Sequence, residues 1–391
     1  MKILVCYPHA CFGGGSSYYM RSLATELSKS NDVAVLIPES SKSKINLKTY
    51  EWKIPFRVMG SSNTYWADAK QYTNLSDKEL ATYTNALYEG MKDAVIKFRP
   101  DTIHCHFMLP SGWVATRIHK EYNIPVIITS HGADLRVMEL DKRYLHESLC
   151  LISEVSCITS VSPNHSKWIK EIFKDAKSLR VECVPGGTDT NLYKPDIPTK
   201  TVEDLYGVKT KNFVLGVGRF QARKGFDALI KAARDIKMDI LLVGDGWETE
   251  NLKSLIKRSG IKNVKLLGFF DPDKNYLLRQ LYTSALVVVI PSLTREETLC
   301  FVGLEALSSG TPLVASSVGG LPFILNGGKY GKLVEPGNIE MLAQTVNSLI
   351  SDKKECIRLG NLGRNHIVNN FTWSVIAQRF TDILESLTKN I

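Results

Sequence analysis

Glu297 and Glu305 bracket seven residues in the stretch EETLCFVGLE, and paired carboxylates at the head of a helical pattern raise the question of acid/base chemistry. A continuous helix would set them ~12 Å apart along its axis and turn them by roughly 80° about it. A retaining glycosidase needs its two carboxyl groups ~5 Å apart across one bond, so this spacing does not build that pair. The better geometry leaves Glu297 in the loop after LVVVIPS and puts Glu305 one or two turns into the helix. Thr298, Leu299 and Cys300 then form the helix N-terminus, whose free amides favour an anion between the two carboxylates. Sugar hydroxyls donate hydrogen bonds to carboxylates, so such a site suits a sugar beside a phosphate.

Other residues at the ends of strand-like runs extend this chemistry. GVGRFQARKG gathers Arg219, Arg223 and Lys224 in a loop that opens at Gly218. Arginine holds two phosphate oxygens at once and lysine supplies a compact charge, so the loop suits a diphosphate, with a solvated charged loop as the other reading. CFGGGSSYYM places Gly13, Gly14 and Gly15 ahead of a helix with Ser16 and Ser17 as candidate caps. Glycines there let the backbone approach a ligand, and a plain tight strand-to-helix turn is an equal reading; the G-x-G-x-x-G spacing of a dinucleotide fingerprint is absent. His104 and His106 share one face of a strand in TIHCHF. A metal pair is one reading of them, and buried, hydrogen-bonded histidines are the preferred one. His131 follows the next strand, where sites sit. Asp271 and Asp273 in DPD read as helix capping rather than as metal ligands.

The elements that must position these residues alternate. KILVCYP, a helix near Ser17 to Ser30, and DVAVLIP set a βαβ rhythm that continues through TIHCHF, VIITSH, CITSVS and RVECVP. Glycine, proline and threonine in GGTDTNLYKPDIPTKTVED break it, and the boundary falls near Pro185. A second series follows with NFVLGVG, DILLVGDG, VKLLGF, LVVVIPS and PLVASS. The expected fold is α/β, with two doubly wound parallel-sheet domains, 1–185 and 186–372. A final helix over 373–391 is expected to pack back on the first domain. Ligands bind beyond the carboxyl ends of such strands, which would place the site in a central cleft that the two sheets face. The segment from Pro38 to Asp77 is irregular and aromatic, with Tyr50, Trp52, Phe56, Tyr65, Trp66 and Tyr72.

Length and composition agree with this plan. A chain of 391 residues exceeds what one core usually supports, and 44% hydrophobic residues supply two. No apolar run is long enough to span a membrane, and MKILVCYP is too short and strand-like for a signal peptide, so a cytoplasmic protein is expected. The eight cysteines are scattered with no C-x-x-C pair, which reads as reduced, mostly buried thiols. A net charge of +9 suits an anionic ligand or an acidic membrane surface. No basic run is interleaved with aromatics, so no nucleic-acid partner is expected.

Taken in order along nearly the whole chain, these stretches resemble the family 4 retaining glycosyltransferases of the two-Rossmann-domain (GT-B) type. PSLTREETLCFVGLEALSSGTPLVAS is similar to that family's E-x7-E signature and GVGRFQARKG to its phosphate loop. The Gly14–Gly15 loop, DTIHCHF, SHGADL, VSPNHSKWI, VPGGTDTNLY, LVGDGWETENL and VGGLPFILNGGKYGKLVEPGN fall in the family's order. The resemblance implies an N-terminal acceptor domain and a C-terminal nucleotide-sugar domain. It gives Arg219 and Lys224 the donor diphosphate and Glu305 the ribose. Glu297, with the amides near Leu299 and Cys300, takes the transferred sugar. His131 would lie against that sugar, Gly14 and Gly15 near its phosphate or the acceptor, and Gly244 to Gly246 near the base. Three positions depart from the pattern: Cys300 replaces a common Gly, Gly186 a common Asn, and Phe323 a common acidic residue. The first two leave room for altered sugar contacts.

The implied reaction moves a hexose-type sugar from a UDP- or GDP-sugar to an acceptor hydroxyl with retention, in glycan, cell-envelope polysaccharide or glycolipid biosynthesis. It needs no metal or other cofactor. The acceptor is a glycan, a lipid-linked sugar or a small molecule. The aromatic Tyr50 to Tyr72 region is the candidate acceptor surface, and peripheral contact with the inner face of a membrane would suit the charge. A nucleotide-sugar epimerase of the same fold would instead turn over its donor with no acceptor. A non-catalytic nucleotide-sugar binding protein would not turn it over at all.

Overall fold

Runs such as ILVC, VAVLI and VIIT are apolar at nearly every position, the pattern of strands covered on both faces, and each becomes a parallel strand buried along that run. The computed structural model describes residues 1–9, 14–39, 45–59, 69–176, 179–270 and 276–388. The chain divides into two compact units, Met1–Pro185 with Ile376–Ile391, and Gly186–Val375.

The first unit holds β1 (Lys2–Cys6), β2 (Asp32–Pro38), β3 (Lys48–Trp52), β4 (Val58–Met59), β5 (Lys70–Gln71), β6 (Thr102–His106), β7 (Val126–Thr129), β8 (Cys157–Ser160) and β9 (Val181–Cys183). Seven of them form one sheet in the order β3-β2-β1-β6-β7-β8-β9, with β4 and β5 paired separately. All the sheet's pairings are parallel. Strand order reverses between β1 and β6, so the loops after those strands flank the switch point where such sheets take ligands. The final helix, Trp373–Thr388, contributes its residues from Ile376 onward to this unit. There Phe380 packs on His104 with ring centroids 4.4 Å apart and planes tilted by 38°, and Arg180 donates to Ser386 Oγ at 3.0 Å.

The second unit holds β10 (Phe213–Val217), β11 (Asp239–Val243), β12 (Val264–Gly268), β13 (Val287–Ile290), β14 (Leu313–Ser316) and β15 (Lys332–Val334). They form a parallel sheet in the order β12-β11-β10-β13-β14-β15. Here the switch point lies between β10 and β13. The loop after β10 carries Arg219 to Lys224, and the loop after β13 carries Glu297.

The aromatic segment read as an acceptor surface is corrected by the structure. Trp52 and Tyr72 are buried, and Tyr50 and Phe56 pack against the first unit's core. Lys48–Trp52 is an edge strand beside β2, which the alternation of charged and aromatic residues concealed. Trp52 lies edge-on to Tyr83 at 5.2 Å, and a Cβ at Gly90 would meet its own Cβ at 2.3 Å, so a helix seats directly on it. Tyr65 and Trp66 lie outside the described residues, as do Gly13 and Asp271 to Asp273. Seven free cysteines are described, of which Cys6, Cys105, Cys157, Cys300 and Cys356 are buried. Among the described residues no helix is long and apolar enough to cross a membrane.

Candidate active site

Three backbone close approaches knit the second unit's loops together. Gly244 and Gly246, after β11, take φ of 153° and 157°, and a Cβ on them would fall 1.8 Å from the Gly218 carbonyl oxygen and 2.3 Å from that of Phe220. Only glycine allows that contact, which is sealed by Gly218 N–H on the Val243 carbonyl at 3.0 Å and Phe220 N–H on that of Asp245 at 2.9 Å. Arg219 stands between these contacts, half-buried. The loop then makes a short 3₁₀ turn, Ala222–Lys224, closed by Gly225 at φ 68°. A Cβ on Gly225 would meet the Pro291 carbonyl oxygen at 2.1 Å, and Leu293 N–H donates to the Arg223 carbonyl at 2.8 Å. The cation loop is thereby fastened to the glutamate loop.

The consequence is a direct ion pair. Lys224 Nζ lies 2.6 Å from Glu297 Oε2, and Ser292 Oγ donates to the same oxygen at 2.6 Å. Arg223 Nε stands 3.7 Å from Glu296 Oε2. Glu297 is 5% exposed. Burial pushes its pKa upward, but the charge and hydrogen bond of Lys224, the Ser292 hydroxyl and the Arg223 charge outweigh burial and hold it below the ordinary carboxylate value. A depressed folded pKa contributes stability that is present above the ordinary carboxylate pKa and lost as pH falls through the folded value. The stability margin of the native chain over Glu297→Gln should therefore hold from about pH 8 to about pH 5 and shrink only in stronger acid. Thermal unfolding across that range checks it, and a margin lost near neutrality would contradict the pairing.

The glutamate loop is held from its other side by the loop after β14. Gly320 N–H donates to the Glu297 carbonyl at 2.8 Å. Gly319, at φ 59°, packs so closely that a Cβ would lie 2.2 Å from that same oxygen. The chain then enters the helix Phe301–Ser308 with Cys300 as N-cap, its carbonyl accepting from Gly303 and Leu304 at 3.1 and 3.2 Å. Thr298 and Cys300 are buried and Leu299 is half-buried. Glu305 falls on the second turn of the helix, 8% exposed, and accepts from the Tyr282 hydroxyl at 2.8 Å. The Cys300 thiol is no nucleophile here, since burial and then the Glu297 charge push its pKa far up.

Gly186 has a local reason as well. A Cβ there would meet the Phe301 ring at 2.7 Å and the Leu299 side chain at 2.9 Å, so this chain's helix N-terminus fills the space an asparagine would use. Gly186→Asn should cost about 1–3 kcal/mol through overpacking, read as a lowered unfolding midpoint. An unchanged midpoint would contradict the packing. Phe323 turns its ring edge-on to Phe371 at 5.6 Å.

The first unit gathers a separate polar cluster at the carboxyl ends of β6 and β7. His106 Nδ1 and His131 Nε2 share a hydrogen bond of 2.9 Å, and His104 Nε2 bonds Thr129 Oγ1 at 2.7 Å. Burial holds His106 and His131 well below the ordinary imidazole pKa, so both are neutral near pH 7. The His131 turn is set by Asp134, a residue sequence reasoning missed. Its Oδ1 accepts from Ser130 Oγ at 2.9 Å and Gly132 N–H at 3.0 Å, and its Oδ2 from Met108 N–H at 3.0 Å. Its position on the first helical turn after SHG was the available signal. Among the described residues no group of three or more His, Cys, Asp or Glu is placed to hold a metal ion. Gly14 caps the helix Gly15–Leu27, and Ser17 Oγ bonds back to it, accepting from its N–H at 3.3 Å and donating to its carbonyl at 2.8 Å. Ser16, the other candidate cap, bonds the Tyr7 hydroxyl instead, at 2.9 Å.

The chain matches the family Glycosyl transferases group 1 over residues 201–366 and Glycosyltransferase Family 4 over residues 13–192. It is a family 4 glycosyltransferase. The enzyme is 28% identical to the D-inositol 3-phosphate glycosyltransferase of Corynebacterium glutamicum, across 96% of its own length and 93% of that protein. It is 27% identical to an uncharacterized glycosyltransferase of Methanocaldococcus jannaschii, across 74% and 76% of the two chains. Among solved structures, sucrose-phosphate synthase from Thermosynechococcus elongatus matches it with a TM-score of 0.82 at 23% identity, over 100% of both chains. Anabaena HepE, solved in complex with UDP, matches with a TM-score of 0.80 at 20% identity, over 99% and 100%. The glycosyltransferase thus has the GT-B fold of two Rossmann-like parallel-sheet domains.

Proposed function

We propose that the enzyme moves a hexose-type sugar from a nucleoside-diphosphate sugar to an acceptor hydroxyl with retained anomeric configuration and without a metal ion. The observation that carries this reading is the Lys224–Glu297 pair at the switch point of the second sheet, beside Arg219 and an N-terminal helix turn. Arg219, Lys224 and the amides near Leu299 and Cys300 face the diphosphate, and their charge stabilises it as it departs. Lys224 and Ser292 both donate to Oε2 and hold the Glu297 carboxylate ionised, the form that accepts from a sugar hydroxyl. Glu305 takes the ribose, and the glycines at 244 and 246 pass the base. UDP bound to Anabaena HepE supports a uridine donor among the candidates, with GDP-sugars the other expected series.

The chemical step breaks the bond between the anomeric carbon and the diphosphate oxygen and forms one to the acceptor oxygen on the same face. The acceptor's proton passes to the departing diphosphate, so no protein base or covalent nucleophile is needed. The first unit takes the acceptor, a glycan, lipid-linked or small-molecule hydroxyl, with His131 as the polar group this unit offers to the transferred sugar.

A thermal-shift screen of UDP-, GDP- and ADP-sugars and the free diphosphates, with and without EDTA, tests the donor reading. A ligand that binds only the folded chain raises its stability with occupancy. One nucleotide series should stabilise the enzyme equally in EDTA. Stabilisation by none would overturn the diphosphate assignment of Arg219 and Lys224, and stabilisation abolished by EDTA would overturn metal independence.

A further inference from the structure

Tyr282 lies on the helix Tyr276–Ser284 and is fully buried, so it cannot touch a ligand itself. Its one reach toward the site is the 2.8 Å hydrogen bond it donates to Glu305 Oε2. A hydroxyl on a buried carboxylate makes a charge-assisted bond, stronger than a neutral one, and either partner left alone pays for its desolvation. The tyrosine is itself immobilised. Tyr193 packs edge-on to its ring at 5.8 Å and 72°, and Thr311 Oγ1 donates to its carbonyl at 2.7 Å. The terminal torsion of a glutamate is broad and roughly two-fold, and the bond to Oε2 narrows the orientations open to its carboxylate plane.

We propose that Tyr282 is a positioning residue of the donor site, whose hydroxyl fixes the plane of the Glu305 carboxylate so that it receives the ribose hydroxyls of the nucleotide. The inference rests on the assignment of Glu305 to the ribose. Two neighbouring hydroxyls donate well to one carboxylate only when its plane is set in advance, so the phenol contributes to ribose recognition from outside the site. The diphosphate and base contacts owe nothing to it. Tyr282 should therefore govern discrimination between ribose and a sugar lacking those hydroxyls, and little else.

Calorimetric titration of the full chain tests this with UDP, GDP and ADP, each against its 2′,3′-dideoxy form, the comparison being made on the base that binds most tightly. The native enzyme should prefer the ribonucleotide by about tenfold or more. Tyr282→Phe, which removes only the hydroxyl, should lose about tenfold for the ribonucleotide and nothing for the dideoxy form, collapsing the ratio. Unchanged dideoxy binding in the same variant reports that the fold is intact. On a Glu305→Gln background the tyrosine substitution should add little, because its partner's charge is already gone. A Tyr282→Phe variant that keeps the native ratio, or that loses both ligands equally, overturns the proposal. A native enzyme without ribose preference refutes the Glu305 assignment and the proposal with it. Failure to bind any diphosphate refutes the donor reading as a whole.

Discussion

Replacing Arg219 and Lys224 together with alanine should lower sugar transfer by about a thousandfold or more, because the proposed donor site loses at once both cations assigned to the departing diphosphate. Two effects combine in this variant. The backbone on either side of Arg219 is held by the glycine contacts to the loop after β11, so its removal takes a preset cation from the proposed phosphate site. Lys224 has a second duty, since its ammonium sits 2.6 Å from a carboxylate whose side chain is 6% exposed. Removing one partner of such a pair leaves a desolvated charge behind, at a cost of about 3 kcal/mol to the second unit. The double replacement Lys224→Met with Glu297→Gln removes both charges and should recover most of that stability without recovering donor binding. Transfer rates and unfolding midpoints, measured on the same samples, separate the two effects. Full transfer by the Arg219→Ala, Lys224→Ala enzyme would defeat the account.

Gly319→Ala should abolish donor binding although residue 319 donates no side chain to the site. Its φ of 59° is left-handed, and an added Cβ would fall 2.2 Å from the Glu297 carbonyl oxygen, a backbone atom with no rotamer to escape into. The glutamate loop must therefore move, carrying Glu297 away from Lys224 and Ser292. Gly327→Ala supplies the control. Its φ of 65° imposes the same backbone strain, about 1–2 kcal/mol, yet nothing lies within 4 Å of the added atom. Gly327→Ala should thus lose some stability and keep donor affinity, whereas Gly319→Ala loses both. Equal donor affinity in the two variants would show that the close approach at Gly319 does not hold the glutamate loop.

The strands that carry the site were legible because they are runs of buried apolar residues, as in ILVC and DILLV, bounded by glycine-rich turns. Glu297 and Lys224 stood out for the same reason, being charges just past such strands. What could not be read was which side chains the loops and helices bring together as partners. Ser292 looks like an ordinary loop hydroxyl until Glu297 folds back on it, and Tyr282 looks like a core aromatic until the Phe301–Ser308 helix brings Glu305 to its hydroxyl. The aromatic segment misled for a related reason. Tyr50 and Trp52 alternate with charged residues over too short a run to mark a strand, and only packing against Phe98 and Tyr83 places them in an edge strand, as packing against Tyr144 places Tyr72 in a short turn. Asp134 was hidden because a buried carboxylate is recognised by its donors, which here come from three separate backbone and side-chain positions.

The central claim is retaining transfer from a nucleotide sugar, and proton NMR of donor turnover tests it most directly. The nucleotide sugar that stabilises the enzyme is incubated with it in EDTA, with water as the only acceptor, and the anomeric signals are followed from the first minutes. The account predicts slow release of the nucleoside diphosphate, a donor pool that is never isomerised, and a first-formed free sugar with the donor's own anomeric configuration. A first-formed sugar of inverted configuration, or a nucleotide sugar converted to its epimer, would contradict it.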